Sequence, residues 1–219
     1  MTRVIAGVAG GKRLAVPGGS GTRPTSDRAR EGLFGTVLSE FGSLAGLHAA
    51  DLYAGSGAVG LEALSRGAQS VLLVESDARA VEVIRANIAA VGLPGARVRQ
   101  ERVERVLARP ADARFDLVFA DPPYPVSEAA VTEMLARLSG WLSPDALVVV
   151  ERATRSGPFE WPPGYARGKS RRYGEATFWY GWYGTGAAAD QADRADRAGQ
   201  QDQAAREPTF DALPWAHEE

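Results

Sequence analysis

The strongest constraint on this chain is an alternation running from His48 to Glu151. Short apolar runs (Ala49–Tyr53, Val71–Glu75, Arg97–Gln100, Phe115–Ala120, Ala146–Glu151) are separated by stretches with helical spacing (Val59–Arg66, Ala78–Val91, Val103–Arg109, Ser127–Trp141). Parallel neighbours cannot be joined by a tight turn and need a crossover, so strands that each lead into a helix predict an α/β fold. Its sheet is mostly parallel, with helices on both faces. The block Ser170–Tyr183, rich in aromatic and β-branched residues without a helical period, predicts a closing antiparallel hairpin. Upstream, Ala29, Leu33, Val37 and Phe41 fall four apart, with Phe34 and Leu38 beside them, after Pro24 and the capping residues Thr25 and Ser26. That pattern predicts a helix with one buried face. Two extended candidates, Arg3–Ala6 and Arg13–Val16, flank Gly7, Gly10 and Gly11 and predict a further, basic hairpin.

With 219 residues and 45% hydrophobic content, the chain has apolar material for one medium-sized core. The expected organisation is a hairpin extension over 1–20, a catalytic domain over 21–183 and a disordered acidic tail over 184–219. The absence of cysteine excludes disulfides and thiolate metal sites. No apolar run approaches the ~20 residues that span a bilayer, and a soluble, cytoplasmic monomer without membrane contact is expected. The formal net charge of −2 hides an uneven distribution. Arg3, Lys12, Arg13, Arg23, Arg28 and Arg30 face the single acid Asp27 in the first 30 residues, whereas the tail holds eight acids and three bases. The other 22 basic and 19 acidic residues leave a slightly positive body, compatible with a phosphate-bearing partner.

Two motifs carry chemistry. Asp51-Leu-Tyr-Ala-Gly55-Ser-Gly57-Ala-Val-Gly60 lies where a strand should end and a helix begin. Its glycines permit a tight turn and close ligand approach to the backbone. The spacing suits a dinucleotide or a methyl-donor cofactor, and Glu75 at the end of the next strand could bind a ribose hydroxyl of either. Asp51 tilts the choice, because a carboxylate there would repel a pyrophosphate but attract an ammonium. The second motif, Asp121-Pro122-Pro123-Tyr124, directly follows a buried strand. The prolines stiffen the turn and remove backbone donors. An exocyclic base amine is a poor nucleophile, its lone pair delocalised into the ring. The Asp121 carboxylate and the Pro122 carbonyl can accept its two hydrogens and pyramidalise it, while Tyr124 offers a face on which an extruded base can stack. An activated methyl donor needs neither metal nor covalent intermediate, and no metal site is expected.

These residues resemble the bacterial S-adenosylmethionine-dependent methyltransferases that modify guanine N2 in 16S ribosomal RNA. The likeness runs from Arg3 to about Tyr183. It is carried by Arg3-Val-Ile-Ala-Gly, Gly11-Lys-Arg-Leu, Thr22-Arg-Pro-Thr-Ser-Asp-Arg-Ala-Arg-Glu31, the glycine loop, Val74-Glu75-Ser-Asp and Asp121-Pro-Pro-Tyr124. The glycine loop and Asp-Pro-Pro-Tyr recur across many amino-methyltransferases, whereas the Arg-Pro-Thr segment after a basic hairpin is narrower and carries the substrate assignment. The resemblance implies a Rossmann-like, seven-stranded methyltransferase sheet with an antiparallel final strand. It implies S-adenosyl-L-methionine held near Asp51, Tyr53, Gly55, Gly57, Glu75, Ser76 and Asp121. It also implies 16S rRNA, free or in an assembling small subunit, against Arg3, Lys12, Arg13, Arg23, Thr25 and Arg28, with Arg23 and Thr25 near the pocket. In many relatives an acid after the third strand of the alternating series holds the adenine amine. Arg102 stands there in this chain, which shifts adenine recognition to the backbone of Arg102 and Val103 or to Glu101. Competing readings are a DNA adenine-N6 methyltransferase, which would normally carry an added recognition domain, and a protein glutamine methyltransferase, which more often has Asn at the Asp121 place. A non-catalytic RNA-binding assembly factor would have no use for intact Asp51, Glu75 and Asp121.

Overall fold

The computed structural model describes residues 2–18, 26–123 and 126–184. Expectations for the tail, for Arg23 and Thr25 and for Tyr124 fall outside these residues. In chain order the elements are β1 (Thr2–Arg3), β2 (Arg13–Leu14), α1 (Asp27–Phe41), β3 (His48–Leu52), α2 (Ala58–Ser65), β4 (Ser70–Glu75), α3 (Ala78–Val91) and β5 (Ala96–Gln100). They continue with α4 (Val103–Leu107), β6 (Phe115–Ala120), α5 (Glu128–Leu138), β7 (Leu142–Ala153), β8 (Tyr165–Tyr173) and β9 (Ala176–Tyr183). A 3₁₀ turn, Ser139–Trp141, completes the apolar pattern that the sequence extends to Trp141.

β3 to β9 form one seven-stranded sheet in the order β5-β4-β3-β6-β7-β9-β8. The first five strands in that order are parallel, and β9 and β8 close the edge antiparallel. The expected α/β architecture is therefore present. Its central strands are apolar on both faces because helices cover both: Leu117, Val118, Phe119 and Ala120 are all buried. One core layer packs α1, α2 and α3 against Leu73, Leu117, Phe119 and Val149. The other packs α4 and α5 against Val74, Val118, Val148 and Val150. The chain turns from β3 towards β5 on one side and from β6 towards β8 on the other. The carboxyl ends of β3 and β6 thus flank the switch point where sheets of this kind bind ligands.

The N-terminal hairpin is shorter than expected, pairing only Thr2–Leu14 and Arg3–Arg13. The amides of Ile5 and Ala6 do not join a ladder; they donate to the Glu62 carboxylate at 2.7 and 3.0 Å. Glu62 is fully buried inside α2 and is also paired with Arg66. Gly7, at φ 83°, lies so close to α2 that a Cβ would sit 1.8 Å from the Ser65 carbonyl oxygen. Val4, Ala9 and Leu14 belong to the α1-side core, so the hairpin shares a core with the sheet. Asn87 of α3 ties the strap after β2 to the glycine turn. Its Oδ1 accepts from Ala15 N at 2.8 Å, and its Nδ2 donates to Ala15 O and Ser56 O, both at 2.9 Å. Arg30, wholly buried, holds Thr2 Oγ1 at 2.8 Å, the Arg3 carbonyl at 2.9 Å and Asp27 at 2.7 Å. Removing the acceptor by Glu62→Ala strands two amides, each costing about 1–3 kcal/mol if left unpaired. The expected results are a lower urea midpoint and faster hydrogen exchange at Ile5 and Ala6; unchanged protection there would refute the docking.

Candidate active site

The site grows from the end of β3. Asp51 lies between Ala50 and Leu52, whose side chains pack on the α4–α5 side, so strand alternation sends its carboxylate to the opposite face, under α2. There its Oδ2 accepts the Gly60 amide of the first helical turn at 2.8 Å. Gly60 has no room for a side chain, since a Cβ would approach Leu73 Cδ2 to 2.6 Å. Between strand and helix the backbone reverses through left-handed conformations at Tyr53 (φ 64°), Gly55 (φ 56°) and Gly57 (φ 75°), closed by Gly57 N to Ala54 O at 2.7 Å. A Cβ at Gly55 would meet nothing within 4 Å, so this part of the turn presents bare backbone to open space. Glu75, at the end of β4, braces it: Oε2 accepts Gly55 N at 2.9 Å, and Oε1 accepts Ser76 N at 2.7 Å and Asp77 N at 2.9 Å.

Across the switch point, Asp121 follows β6 and its amide donates to the Leu52 carbonyl at 3.3 Å, joining the double-proline corner to the glycine turn's own strand. Pro122 is buried. The same alternation applied to β6 and β7 puts Asp121, after Ala120, and Glu151, after Val150, on the Asp51 face of adjacent strands. Three carboxylates therefore crowd one edge. Burial, opposed by the Gly60 hydrogen bond and reinforced by repulsion from Glu75 and Glu151, pushes the Asp51 carboxyl up to about 7. Burial among the neighbouring loops, with repulsion from Glu151 and Asp51, also raises Asp121 well above the usual carboxylate range. Asp121 is nonetheless exposed to solvent. Solvent at that surface weakens both the burial effect and the repulsion without changing their direction. An edge with this surplus of negative charge suits a ligand bearing ammonium and sulfonium charges and disfavours a pyrophosphate. Glu151 is the residue that the sequence did not single out. Its signal, an acid closing a strand pattern, was present, but only the strand order sets it beside Asp121.

Other expected residues are placed differently from one another. The Tyr53 hydroxyl points to the α4–α5 side, donating to Glu104 Oε1 at 3.2 Å; burial, then Glu104, raises its ionisation above the ordinary tyrosine range. Arg102 is an exposed residue at the N-cap of α4, Val103 is buried, and Arg109 engages Glu101 bidentately at 3.0 and 2.7 Å. Ser76 is exposed. On the hairpin side, Arg3 lies 3.5 Å from Asp27, and Lys12 Nζ donates to the Val91 carbonyl near the end of α3 at 2.7 Å. Arg13 and Arg28 are exposed. Among the described residues no cluster suits a metal ion.

Sheet topology and switch-point chemistry define a Rossmann-like, S-adenosylmethionine-dependent methyltransferase. Residues 2–182 match the family described as conserved hypothetical protein 95, and the chain belongs to that family. Ribosomal RNA small subunit methyltransferase D of Escherichia coli (strain K12) is 33% identical over 176 residues, covering 80% of this chain and 87% of that protein. Its counterpart in Haemophilus influenzae is 33% identical over 152 residues, covering 68% and 77%. A solved structure of the Escherichia coli protein yhhF, described as a candidate methyltransferase, superposes with a TM-score of 0.73 at 31% identity, covering 83% of this chain and 97% of that one.

The raised Asp51 value has a consequence for stability. Between the ordinary carboxylate value and about 7 the folded protein holds a proton that the unfolded chain releases. Stability contributed here therefore falls as pH rises across that window and is level above it, by at most about 4 kcal/mol. Asp51→Asn is expected to remove this slope from urea unfolding measured between pH 4 and 8 without ligand; an identical slope in both proteins would refute the protonated state.

Proposed function

We propose that this protein transfers a methyl group from S-adenosyl-L-methionine to the exocyclic N2 amine of a guanine in small-subunit ribosomal RNA. The observation that carries this reading is the Asp121 corner, hydrogen-bonded to the end of β3 directly ahead of the glycine turn. The names of the relatives support an rRNA substrate. The Asp-Pro-Pro corner supports an amine rather than a carbon or hydroxyl target.

In this reading the cofactor supplies an activated methyl on a positively charged sulfur. The bare backbone of Gly55 admits it, Gly57 makes the left-handed turn that lets the helix start behind it, and Asp51 attracts its ammonium. Glu75 keeps the turn in shape and has acceptor capacity left for ribose hydroxyls. Tyr53 and Ser76 contribute through the backbone on either side of this cradle, and the Arg102–Val103 segment borders the adenine. Asp121 and the Pro122 carbonyl accept the two hydrogens of the guanine amine, aim its lone pair at the methyl group, and leave Asp121 able to take the proton lost as the N–C bond forms. Tyr124 stacks on the extruded base. RNA contact is assigned to Arg3, Lys12, Arg13, Arg23, Thr25 and Arg28. Lys12 and Arg3 already have protein partners, so Arg13 and Arg28 are the stronger phosphate ligands. The protein works as a cytoplasmic monomer on 16S rRNA, within an assembling subunit or free.

Incubating small ribosomal subunits that lack this modification with labelled S-adenosylmethionine, then mapping the labelled nucleotide, tests the proposal; label on any group other than a guanine N2 sinks it. Asp121→Ala is expected to lower the rate by roughly 10²–10³-fold, the usual loss for one preorganised polar contact to a reacting group, with RNA affinity nearly unchanged. Cofactor affinity is expected to rise with pH up to about 7 and then level off, because only ionised Asp51 attracts the ammonium. In Asp51→Asn, titration calorimetry should find weaker binding without that rise.

A further inference from the structure

The antiparallel end of the sheet carries positive charge that the proposed reaction leaves unused. Strand β8, Tyr165–Tyr173, holds Arg167, Lys169, Arg171 and Arg172 and no acid. Arg167 stacks on Trp179, 5.6 Å from the ring centroid, and Lys169 pairs with Glu40 of α1, so these two are engaged within the fold. Arg171 and Arg172 are exposed and form no ion pair with any described acid.

Register relates these arginines to the site. Glu151 pairs with Phe178, which pairs with Arg171, so Glu151 and Arg171 share a rung and a face. Arg152 and Arg172 share the next rung, astride Thr177, on the opposite face. At about 4.8 Å per strand, Arg171 lies roughly 15 Å across the sheet from Asp121. An arginine side chain covers less than half of that gap, and the sugar-phosphate backbone flanking a base held at Asp121 extends across the rest. The Tyr173–Glu175 turn that carries the pair is anchored: the Thr154 amide donates to the Glu175 carbonyl at 2.8 Å, and Tyr173 packs so tightly on α1 that a Cβ at Gly32 would lie 2.2 Å from its hydroxyl.

Charges on an edge strand often serve only to block strand pairing between molecules. That purpose does not explain Arg152, which lies on the interior strand β7 and whose Nη1 is buried without a hydrogen-bond partner. A guanidinium donor left over beside the exposed Arg172, with Arg171 on the other face of the same strand end, fits an anionic oxygen supplied from outside.

We propose that Arg152, Arg171 and Arg172 form a second RNA-backbone contact at the carboxyl end of β7 and β8. Together with the hairpin, it grips the RNA on both sides of the methylated nucleotide. The inference rests on the rRNA reading above. Phosphate contacts of this kind set the register of the nucleic acid and carry no sequence information themselves.

The test measures binding of unmethylated 16S rRNA to the wild-type protein and to Arg171→Glu/Arg172→Glu over a range of salt concentrations. Each lost phosphate contact flattens the plot of log Kd against log salt by about 0.7–0.9. The double variant should therefore lose about 1.5 from the slope and at least tenfold in affinity near physiological salt. Its KM for RNA should rise while its S-adenosylmethionine affinity and thermal midpoint stay as in the wild type, and Arg171→Lys/Arg172→Lys should recover most of the binding. A variant indistinguishable from a wild-type protein that binds and methylates the RNA overturns this surface alone. A wild-type protein that does not bind the RNA overturns the rRNA reading as well. A concentration-dependent dimer abolished by the same substitutions, with RNA affinity untouched, assigns the edge to self-pairing and likewise overturns the proposal.

Discussion

Two carboxylates lodged against α2 hold the working parts of this molecule together. Asp51 accepts an amide of the helix's first turn, and Glu62, inside the helix, accepts the two hairpin amides that have no ladder partner. Burying a carboxylate is unfavourable unless hydrogen bonds or charges compensate. Glu62 has two backbone donors and Arg66, whereas Asp51 has one backbone donor and faces other acids. The difference is informative. Glu62 is saturated by the protein and acts as a structural clamp, while Asp51 is under-compensated and stands where a cationic ligand can complete its environment.

Charge is sorted across the sheet in the same sense. The carboxyl ends of β3, β6 and β7 hold Asp51, Asp121 and Glu151 on one face. Basic side chains gather elsewhere, on the N-terminal hairpin and near the carboxyl end of the edge strand β8. A negative floor favours a cationic cofactor, and a positive rim favours a polyanion. The formal net charge of −2 obscures this because eight acids fall in the tail after Gly184.

Much of the architecture could be read along the chain. The alternation of apolar runs and helical patterns predicted the parallel sheet, the Ser26 cap is realised by its hydroxyl accepting from Ala29 N at 3.2 Å, and the aromatic block after Ser170 did form the antiparallel closure. The hairpin was harder to judge, because Ile5 and Ala6 have the composition of strand residues but find a better acceptor in a carboxylate 57 and 56 residues further on. Strand β7 runs from Leu142 to Ala153, beyond the apolar core of its pattern, because β6 pairs with its start at Leu142 and β9 pairs with it from Ala146 to Ala153. Helix α4 ends at Leu107, one turn of capping bonds before Arg109 turns back to Glu101.

Local chemistry needs only neighbouring residues. The glycines that allow a left-handed turn, the prolines that stiffen a corner and the spacing that separates strand from helix are all properties of adjacent positions, and these are legible along the chain. Which side chains from distant segments share a face depends on strand order and register, which are set by how whole layers pack. The pairing of Glu151 with the Asp121 edge, the saturation of Glu62, the bridge from Asn87 to the glycine turn and the alignment of Arg171 with Glu151 therefore arise only when the sheet is assembled.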